Sequence, residues 1–160
     1  MKLLVLALVT VVAGCTKDTG PDAANAFVGA WSCTSQIVYK FSSPPGIPDK
    51  TVSLDVTRTY TGGGDHLEST SVTSTGVSTG CVTKWKVAGT TATTEPGQTC
   101  SSKVTTPGGA LREVSGTHMT ATSNLSGATF HETGSGDVDI VEGPQHFVGA
   151  GTTTTICTRK

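Results

Sequence analysis

Five cysteines offer the most readily predicted chemistry in this chain: Cys15, Cys33, Cys81, Cys100 and Cys157. A thiolate is a nucleophile that can be modified covalently, and two thiols can be oxidised to a disulfide. Cys15 ends an uncharged, mainly apolar segment, whereas the other four are spread over the rest of the chain. The positions therefore separate one cysteine that is available for modification from an even set that is available for pairing.

The segment before Cys15 has the organisation of an export signal. Lys2 supplies one positive charge, and the uncharged run 3–13 that follows is roughly half the length of a membrane-spanning helix. The end of the segment, Val12-Ala13-Gly14-Cys15, resembles the lipobox of bacterial lipoproteins, in which small residues precede the cysteine. This resemblance implies cleavage after Gly14 and attachment of a diacylglycerol, with its acyl chains, to Cys15.

Three parts of the chain are therefore expected. Residues 1–14 form a signal peptide, residues 15–26 a lipidated, polar tether with Gly20 and Pro21, and residues 27–160 a folded domain. The lipid on Cys15 holds the protein on a membrane of the cell envelope. In the sorting rule of enteric bacteria, Thr16 in place of Asp implies the outer membrane.

The four remaining cysteines indicate two disulfides in an exported chain, and four cysteines allow three connectivities. Cys81 and Cys100 lie at nearly equal distances from a predicted turn around Thr90, which favours a local hairpin bridge. That pairing leaves Cys33 with Cys157, which joins the first predicted strand to the last.

Other candidates for chemistry lack the context that their chemistry needs. Gly76-Val77-Ser78-Thr79-Gly80 has the spacing of a nucleophile elbow, but a predicted β segment surrounds it and no helix follows. Asp137, Asp139 and Glu142 lack the pattern of a calcium loop. The histidines have no zinc-ligand spacing; they are His66, His118, His131 and His146. We expect no enzyme activity, no metal and no cofactor.

Composition indicates an all-β protein without affinity for nucleic acid. The chain carries 11 basic and 12 acidic side chains without a basic stripe that could follow a phosphate backbone. Thirty of its 160 residues are Thr, which favours strands, and 20 are Gly, which is common in turns. No helical periodicity extends over a dozen positions.

Alternation of apolar and polar residues predicts eight or nine short strands. In the clearest, Val52, Leu54, Val56 and Tyr60 share one face, which Arg58 interrupts. The predicted strands cover 31–41, 51–60, 66–73, 77–87, a stretch toward residue 100, 111–122, 127–132, 137–142 and 147–159. Short connections favour an antiparallel up-and-down barrel of about eight strands, with a β-sandwich as the alternative.

Gly29-Ala30-Trp31, at the start of the first strand, resembles the Gly-x-Trp pattern of lipocalins and related barrels. The resemblance implies that an Arg on the last strand, here Arg159, packs across Trp31. If Cys33 lies opposite Cys157 in an antiparallel pair, Trp31 lies opposite Arg159, so the two patterns predict one register.

A non-catalytic binding module that holds a small hydrophobic ligand is the expected function. The alternative is a protease inhibitor, as in barrels that resemble the alkaline-protease inhibitors, or an interaction or structural protein of the envelope. An open apolar cavity of roughly 300 Å³ or more would favour ligand binding, whereas a filled interior with a protruding segment would favour protein contact. The few aromatic residues indicate a core rather than a large apolar calyx.

Overall fold

The computed structural model describes residues 23–74, 78–105 and 111–160. Within them one turn of 3-10 helix, Ala24–Ala26, precedes nine strands joined by short connections. The strands are β1 (Gly29–Ser43), β2 (Lys50–Gly63), β3 (His66–Thr73), β4 (Ser78–Ala88), β5 (Thr91–Thr94), β6 (Gln98–Thr105), β7 (Leu111–Ser126), β8 (Thr129–Glu142) and β9 (Gln145–Arg159). In this part of the chain no helix is long and apolar enough to cross a membrane.

All the strands belong to one antiparallel sheet that closes on itself. Neighbouring strands follow the order β5-β4-β3-β2-β1-β9-β8-β7-β6, and an additional pairing of β5 with β7 closes the ring. Eight strands form the barrel, and β6 is an extra strand on β7. The prediction of an all-β, antiparallel, lipocalin-like barrel is confirmed, and the sandwich alternative is wrong.

Side chains alternate between the interior and the solvent along the strands. In β1, Trp31, Cys33 and Ser35 are buried, whereas Ser32 and Thr34 between them are exposed. This period of two is the pattern expected of a strand with one face on a core. Because the pattern was clear in the first strands, most of their predicted bounds agree with the structure.

Residues 129–142 form one long strand, so the prediction of two strands, 127–132 and 137–142, is wrong. Gly134 and Gly136, which lie between the two predicted strands, are inside β8. A Cβ atom on Gly134 would meet the Thr120 carbonyl oxygen at 2.9 Å, and one on Gly136 would meet that of Thr117 at 3.1 Å. These glycines therefore permit a close approach of β7 and β8 rather than a turn.

The close approach coincides with an irregularity in β7. The pairing of β7 with β8 shifts register between Thr117 and Thr120, and His118 has a positive φ of 50°. Such a bulge leaves extra residues on one strand and re-aims their side chains. Here the bulge directs Met119 into the barrel. If Gly116 had a Cβ atom, that atom would lie 3.1 Å from Met119 Sδ.

The stretch toward Cys100 comprises two strands rather than one. β5 ends at Thr94, its last pair with β4 being Trp85 and Thr94, and β6 begins only at Gln98. Gln98 bridges the gap with its side chain, since it accepts from the Lys84 amide at 2.7 Å and donates to the Lys84 carbonyl at 2.6 Å. The described parts of β4 and β6 are joined by this amide and a disulfide rather than by a backbone ladder.

An aromatic core fills the end of the barrel where β1 begins. Phe27, Trp31, Tyr60, Trp85 and Phe130 are almost completely buried there, and the ring centroids of Trp31 and Phe130 are 4.9 Å apart. Ala24, in the 3-10 turn, belongs to the same core. The last residues of the segment predicted as tether, 24–26, are therefore part of the closed end of the barrel.

All nine strands, both disulfides and this core lie within residues 23–160. A chain that begins at residue 16 therefore keeps all nine described strands, both disulfides and this core.

Candidate functional site

Two pairs of residues join the first and last strands at the closed end. Cys33 and Cys157 are opposite in the β1–β9 ladder and form a disulfide, and Trp31 lies opposite Arg159. The guanidinium carbon of Arg159 lies 4.7 Å from the Trp31 ring centroid, within the range of a cation–π contact. The Trp31 indole donates to the Phe27 carbonyl at 2.7 Å. These contacts join β1 to β9 and hold Trp31 in place at the closed end, so this end of the barrel has a structural role.

The opposite half of the barrel contains a cavity of about 310 Å³ that is open to solvent. Its wall is mainly apolar, because inward-facing positions of four strands, β1, β2, β7 and β8, contribute aliphatic side chains and a thioether. They are Ile37, Leu54, Val56, Val114, Met119 and Val138. The volume lies at the lower end of the range for small-molecule sites, and the apolar lining is typical of them.

Arg58 and Glu132 form an ion pair across the floor of this cavity. Arg58 belongs to β2 and Glu132 to β8, with β1 and β9 between them in the sheet. Their side chains are only 13% and 4% exposed, and Arg58 Nη1 donates to Glu132 Oε2. The pair therefore spans the interior and separates the aromatic core from the open half.

Three hydroxyl groups form hydrogen bonds with the ion pair. Ser123 donates to Glu132 Oε2 at 2.8 Å, Arg58 Nε donates to Ser71 at 3.3 Å, and Arg58 Nη1 reaches the Tyr60 hydroxyl at 3.4 Å. A buried ion pair is tolerated when such bonds compensate for lost hydration. The floor is thus a charged network whose net charge is zero.

Burial and charge shift the acid–base properties of this network. Burial alone would lower the pKa of the Arg58 guanidinium, but the Glu132 carboxylate and Tyr60 more than offset this and raise it. Burial raises the pKa of Tyr60 to about 12, although the Arg58 charge opposes the shift. Arg58 is therefore cationic and Tyr60 a neutral phenol at neutral pH.

Polar residues of β9 face the interior without being left unsatisfied. Thr155 is buried on the same face as Cys157, whereas Ile156 points outward and is 48% exposed. The Thr155 hydroxyl shares a 2.8 Å hydrogen bond with Ser35 on the neighbouring strand β1. This pairing explains how a Thr-rich strand can line the inside of a barrel.

The mouth of the barrel carries aromatic rings and a second ion pair. Tyr39 and Phe41 stack with ring centroids 6.1 Å apart, and Phe41 lies 5.6 Å from Phe147. Arg112 donates to Glu142 Oε2 through Nε at 2.9 Å and Nη2 at 2.5 Å. Burial raises the pKa of Tyr39, against a smaller opposing effect of Arg112. Half-buried rings thus border the entrance to the cavity.

The structure confirms both predicted disulfides, Cys33–Cys157 and Cys81–Cys100. The second joins β4 to β6, at the place we call the seam, instead of bridging the β4–β5 hairpin. The reason is that the strand predicted to run toward Cys100 is interrupted between β5 and β6. Cys15, the predicted lipid acceptor, lies outside the described residues.

Of the elbow-like sequence, positions 76 and 77 lie outside the described residues, and Ser78–Gly80 begin β4.

Three of the four histidines contact exposed carboxylates instead of one another. His66 lies 3.0 Å from Glu95, and His118 and His146 lie 2.8 Å from Asp137 and Asp139. Among the described residues, no three His, Cys, Asp or Glu side chains are grouped as metal ligands would be.

Sequence reasoning missed Arg58 and Glu132 as a pair. In the sequence, Arg58 interrupts the apolar face of its strand, yet its side chain points inward like those of Val56 and Tyr60 on either side. An inward Arg needs an opposite charge in the interior. Glu132 lies two residues after Phe130 and therefore on the same buried face of its strand. This spacing was the sequence signal that Glu132 could be the charged partner of Arg58.

A comparison with protein-family models finds no match for this chain, and a comparison with curated proteins finds no matching relative.

Proposed function

We propose that this protein is a non-catalytic, lipid-anchored binding protein of the bacterial cell envelope whose barrel holds a small amphipathic molecule. The cavity of about 310 Å³ carries this proposal. Its apolar wall releases water when it meets an apolar chain, at about 0.8 kcal/mol per buried methylene. The open mouth gives such a chain a route into the interior.

The distribution of polar groups supports a ligand site more than a protein-binding surface. The accessible surface of the wall is mainly apolar, and the two buried charged side chains of the lining, Arg58 and Glu132, lie together at the floor. Small-molecule sites combine an apolar lining with a small number of placed polar groups in this way. A barrel that served only as a rigid scaffold for protein contact would gain stability from a filled interior.

The anchor in this proposal is lipid on Cys15, in the lipobox-like sequence Val12-Ala13-Gly14-Cys15. Two or three acyl chains hold a protein on a membrane far more firmly than one. Thr16 after the cysteine favours the outer membrane.

Native mass spectrometry of the protein purified from its own envelope tests the binding function. We expect a population whose mass exceeds that of the lipidated chain by one small molecule, and denaturation should release that molecule. Thr83→Trp, which places an indole in the cavity wall, should abolish the adduct, whereas Val82→Trp on the outside should retain it. An adduct that persists in Thr83→Trp, or none in the unaltered protein, would contradict the proposal.

Metabolic labelling with palmitate tests the anchor separately. The unaltered chain should incorporate label and stay with the membrane fraction, and Cys15→Ser should lose the label. Thr16→Ser is the matched control, since it changes the adjacent residue without removing a thiol. Equal labelling of the Cys15→Ser chain would refute the lipid anchor.

A further inference from the structure

The ion pair at the cavity floor has hydrogen-bonding capacity that the protein does not use. Arg58 Nη1 and Nε have partners, and Glu132 Oε2 accepts twice, but within the described residues no bond engages Arg58 Nη2 or Glu132 Oε1. A guanidinium nitrogen is only a donor and an ionised carboxylate oxygen only an acceptor. One donor nitrogen, which carries two N–H groups, and one acceptor oxygen are thus free in the same ion pair.

These two free atoms are open to the cavity. In the described part of the molecule, no fully buried side-chain nitrogen or oxygen lacks a hydrogen-bond partner. Arg58 Nη2 and Glu132 Oε1 therefore retain some accessible surface, although their side chains are 13% and 4% exposed overall. Both residues line the cavity, so this surface faces its interior.

Charge at the floor discriminates between possible head groups. Glu132 already neutralises Arg58. A carboxylate head group would therefore be repelled by Glu132, and an ammonium head group by Arg58, in a site with little water. Asp137, the remaining charged residue of the lining, is exposed and contacts His118 at 2.8 Å. A group that both donates and accepts, without charge, would satisfy both free atoms.

From this we infer that the barrel selects uncharged amphipaths, such as a long-chain alcohol or primary amide, whose head donates to Glu132 Oε1 and accepts from Arg58 Nη2. The apolar chain of such a ligand runs along the aliphatic wall toward Tyr39 at the mouth. This inference rests on the proposed binding function and specifies its substrate class.

Isothermal titration of one chain length with four head groups tests the selection. The probes are 1-decanol, decanamide, decanoate and decyltrimethylammonium, and the protein is the chain that begins at residue 16. We expect decanol and decanamide to bind roughly tenfold or more tightly than the two charged probes, since an unpaired charge at a dry site is costly.

Glu132→Gln supplies the decisive comparison. It keeps an acceptor for Arg58 and Ser123 but leaves the Arg58 charge unopposed, so decanoate should gain roughly tenfold relative to decanol. Glu68→Gln removes the same charge from an exposed position on β3 and should leave the preference unchanged. The series on the unaltered chain is decisive by itself if Glu132→Gln fails to fold.

The outcomes separate the two proposals. Decanoate binding as tightly as decanol in the unaltered chain, or an identical preference in Glu132→Gln and Glu68→Gln, would overturn the head-group inference while leaving a ligand-binding barrel. Binding of none of the four probes would overturn the proposed function and the inference with it.

Discussion

Arg58 on β2 and Glu132 on β8 meet across the barrel and divide its interior into an aromatic core and an apolar cavity. Their geometry is fixed by the hydroxyls of Ser71, Tyr60 and Ser123. We expect the pair to contribute both to stability and to the proposed ligand selection, and the two roles can be measured separately.

Removing one partner of this pair should destabilise the protein more than removing both. Arg58→Met or Glu132→Met alone leaves an uncompensated buried charge, which costs about 3–5 kcal/mol, whereas the double variant replaces the pair with apolar side chains. Urea unfolding of the four proteins gives the coupling free energy. Single and double costs that simply add would show that the two side chains do not interact.

The two disulfides should differ in their contributions to the free energy of unfolding. Cys33–Cys157 closes a loop over a sequence separation of 124 and Cys81–Cys100 over 19. In the chain-entropy model the first stabilises by about 4–5 kcal/mol and the second by about 3 kcal/mol. Guanidinium unfolding of the two Cys→Ser double variants measures this, and the reverse order would contradict the model.

Ligand affinity should depend on the disulfides in the opposite order. Cys81 and Cys100 line the cavity and tie β4 to β6, where a backbone ladder is missing from the described residues. Cys33 and Cys157 lie at the closed end. Replacing Cys81 and Cys100 by Ser should weaken decanol binding severalfold, and the Cys33/Cys157 replacement should leave it nearly unchanged while the protein remains folded. Equal losses of decanol affinity in the two double variants would show that the Cys81–Cys100 disulfide does not position the residues of the ligand site.

Stability should fall as the pH rises from 10 to 12. The pKa of Tyr60 is raised from 10.0 to about 12, so above pH 10 the folded state binds more protons than the unfolded state. The contribution is fully present below pH 10 and is lost, by about 2–3 kcal/mol in total, as the pH approaches 12.

Tyr60→Phe should therefore flatten the alkaline decline in urea-unfolding free energy. Tyr39→Phe is the control: Tyr39 is half-buried and its pKa is also raised, so it should remove only a smaller part of the decline. An unchanged slope in Tyr60→Phe would refute the assignment.

Arg159 should stabilise the closed end through its contact with Trp31. Arg159→Met removes the cation–π contact and the hydrogen bond to the Ala26 carbonyl, at an expected cost of about 1–2 kcal/mol. Arg159→Lys keeps the positive charge, so it should lower the free energy of unfolding by less than Arg159→Met does. A thermal unfolding temperature that is unchanged in both variants would show that the contact is energetically neutral.

Local patterns predicted the register of the barrel because they constrain it directly. Cys33, Cys157, Trp31 and Arg159 are related by one antiparallel pairing, and side-chain alternation fixes which face is buried. The continuity of β8 was not predictable, because Gly134 and Gly136 are the usual residues of turns. Only the position of β7, with its bulge at His118, explains them.

The cavity itself was also beyond prediction from local patterns. It arises because the large side chains Trp31, Tyr60 and Phe130 all gather at one end, while small and aliphatic residues line the other. Which end each residue reaches depends on strand tilt and closure, and these are properties of the whole sheet.

Titration calorimetry with 1-decanol tests the central claim, that the open half of the barrel is a ligand site, most directly. Thr83 lines the cavity and its neighbour Val82 points outward with 52% exposure, so a Trp at each position adds the same bulk inside and outside. We predict one binding event with a Kd on the order of 10–100 μM for the chain that begins at residue 16. Val82→Trp should match it, and Thr83→Trp should weaken binding roughly tenfold or more. Equal affinities for the two Trp variants, or no binding to the unaltered chain, would contradict the claim.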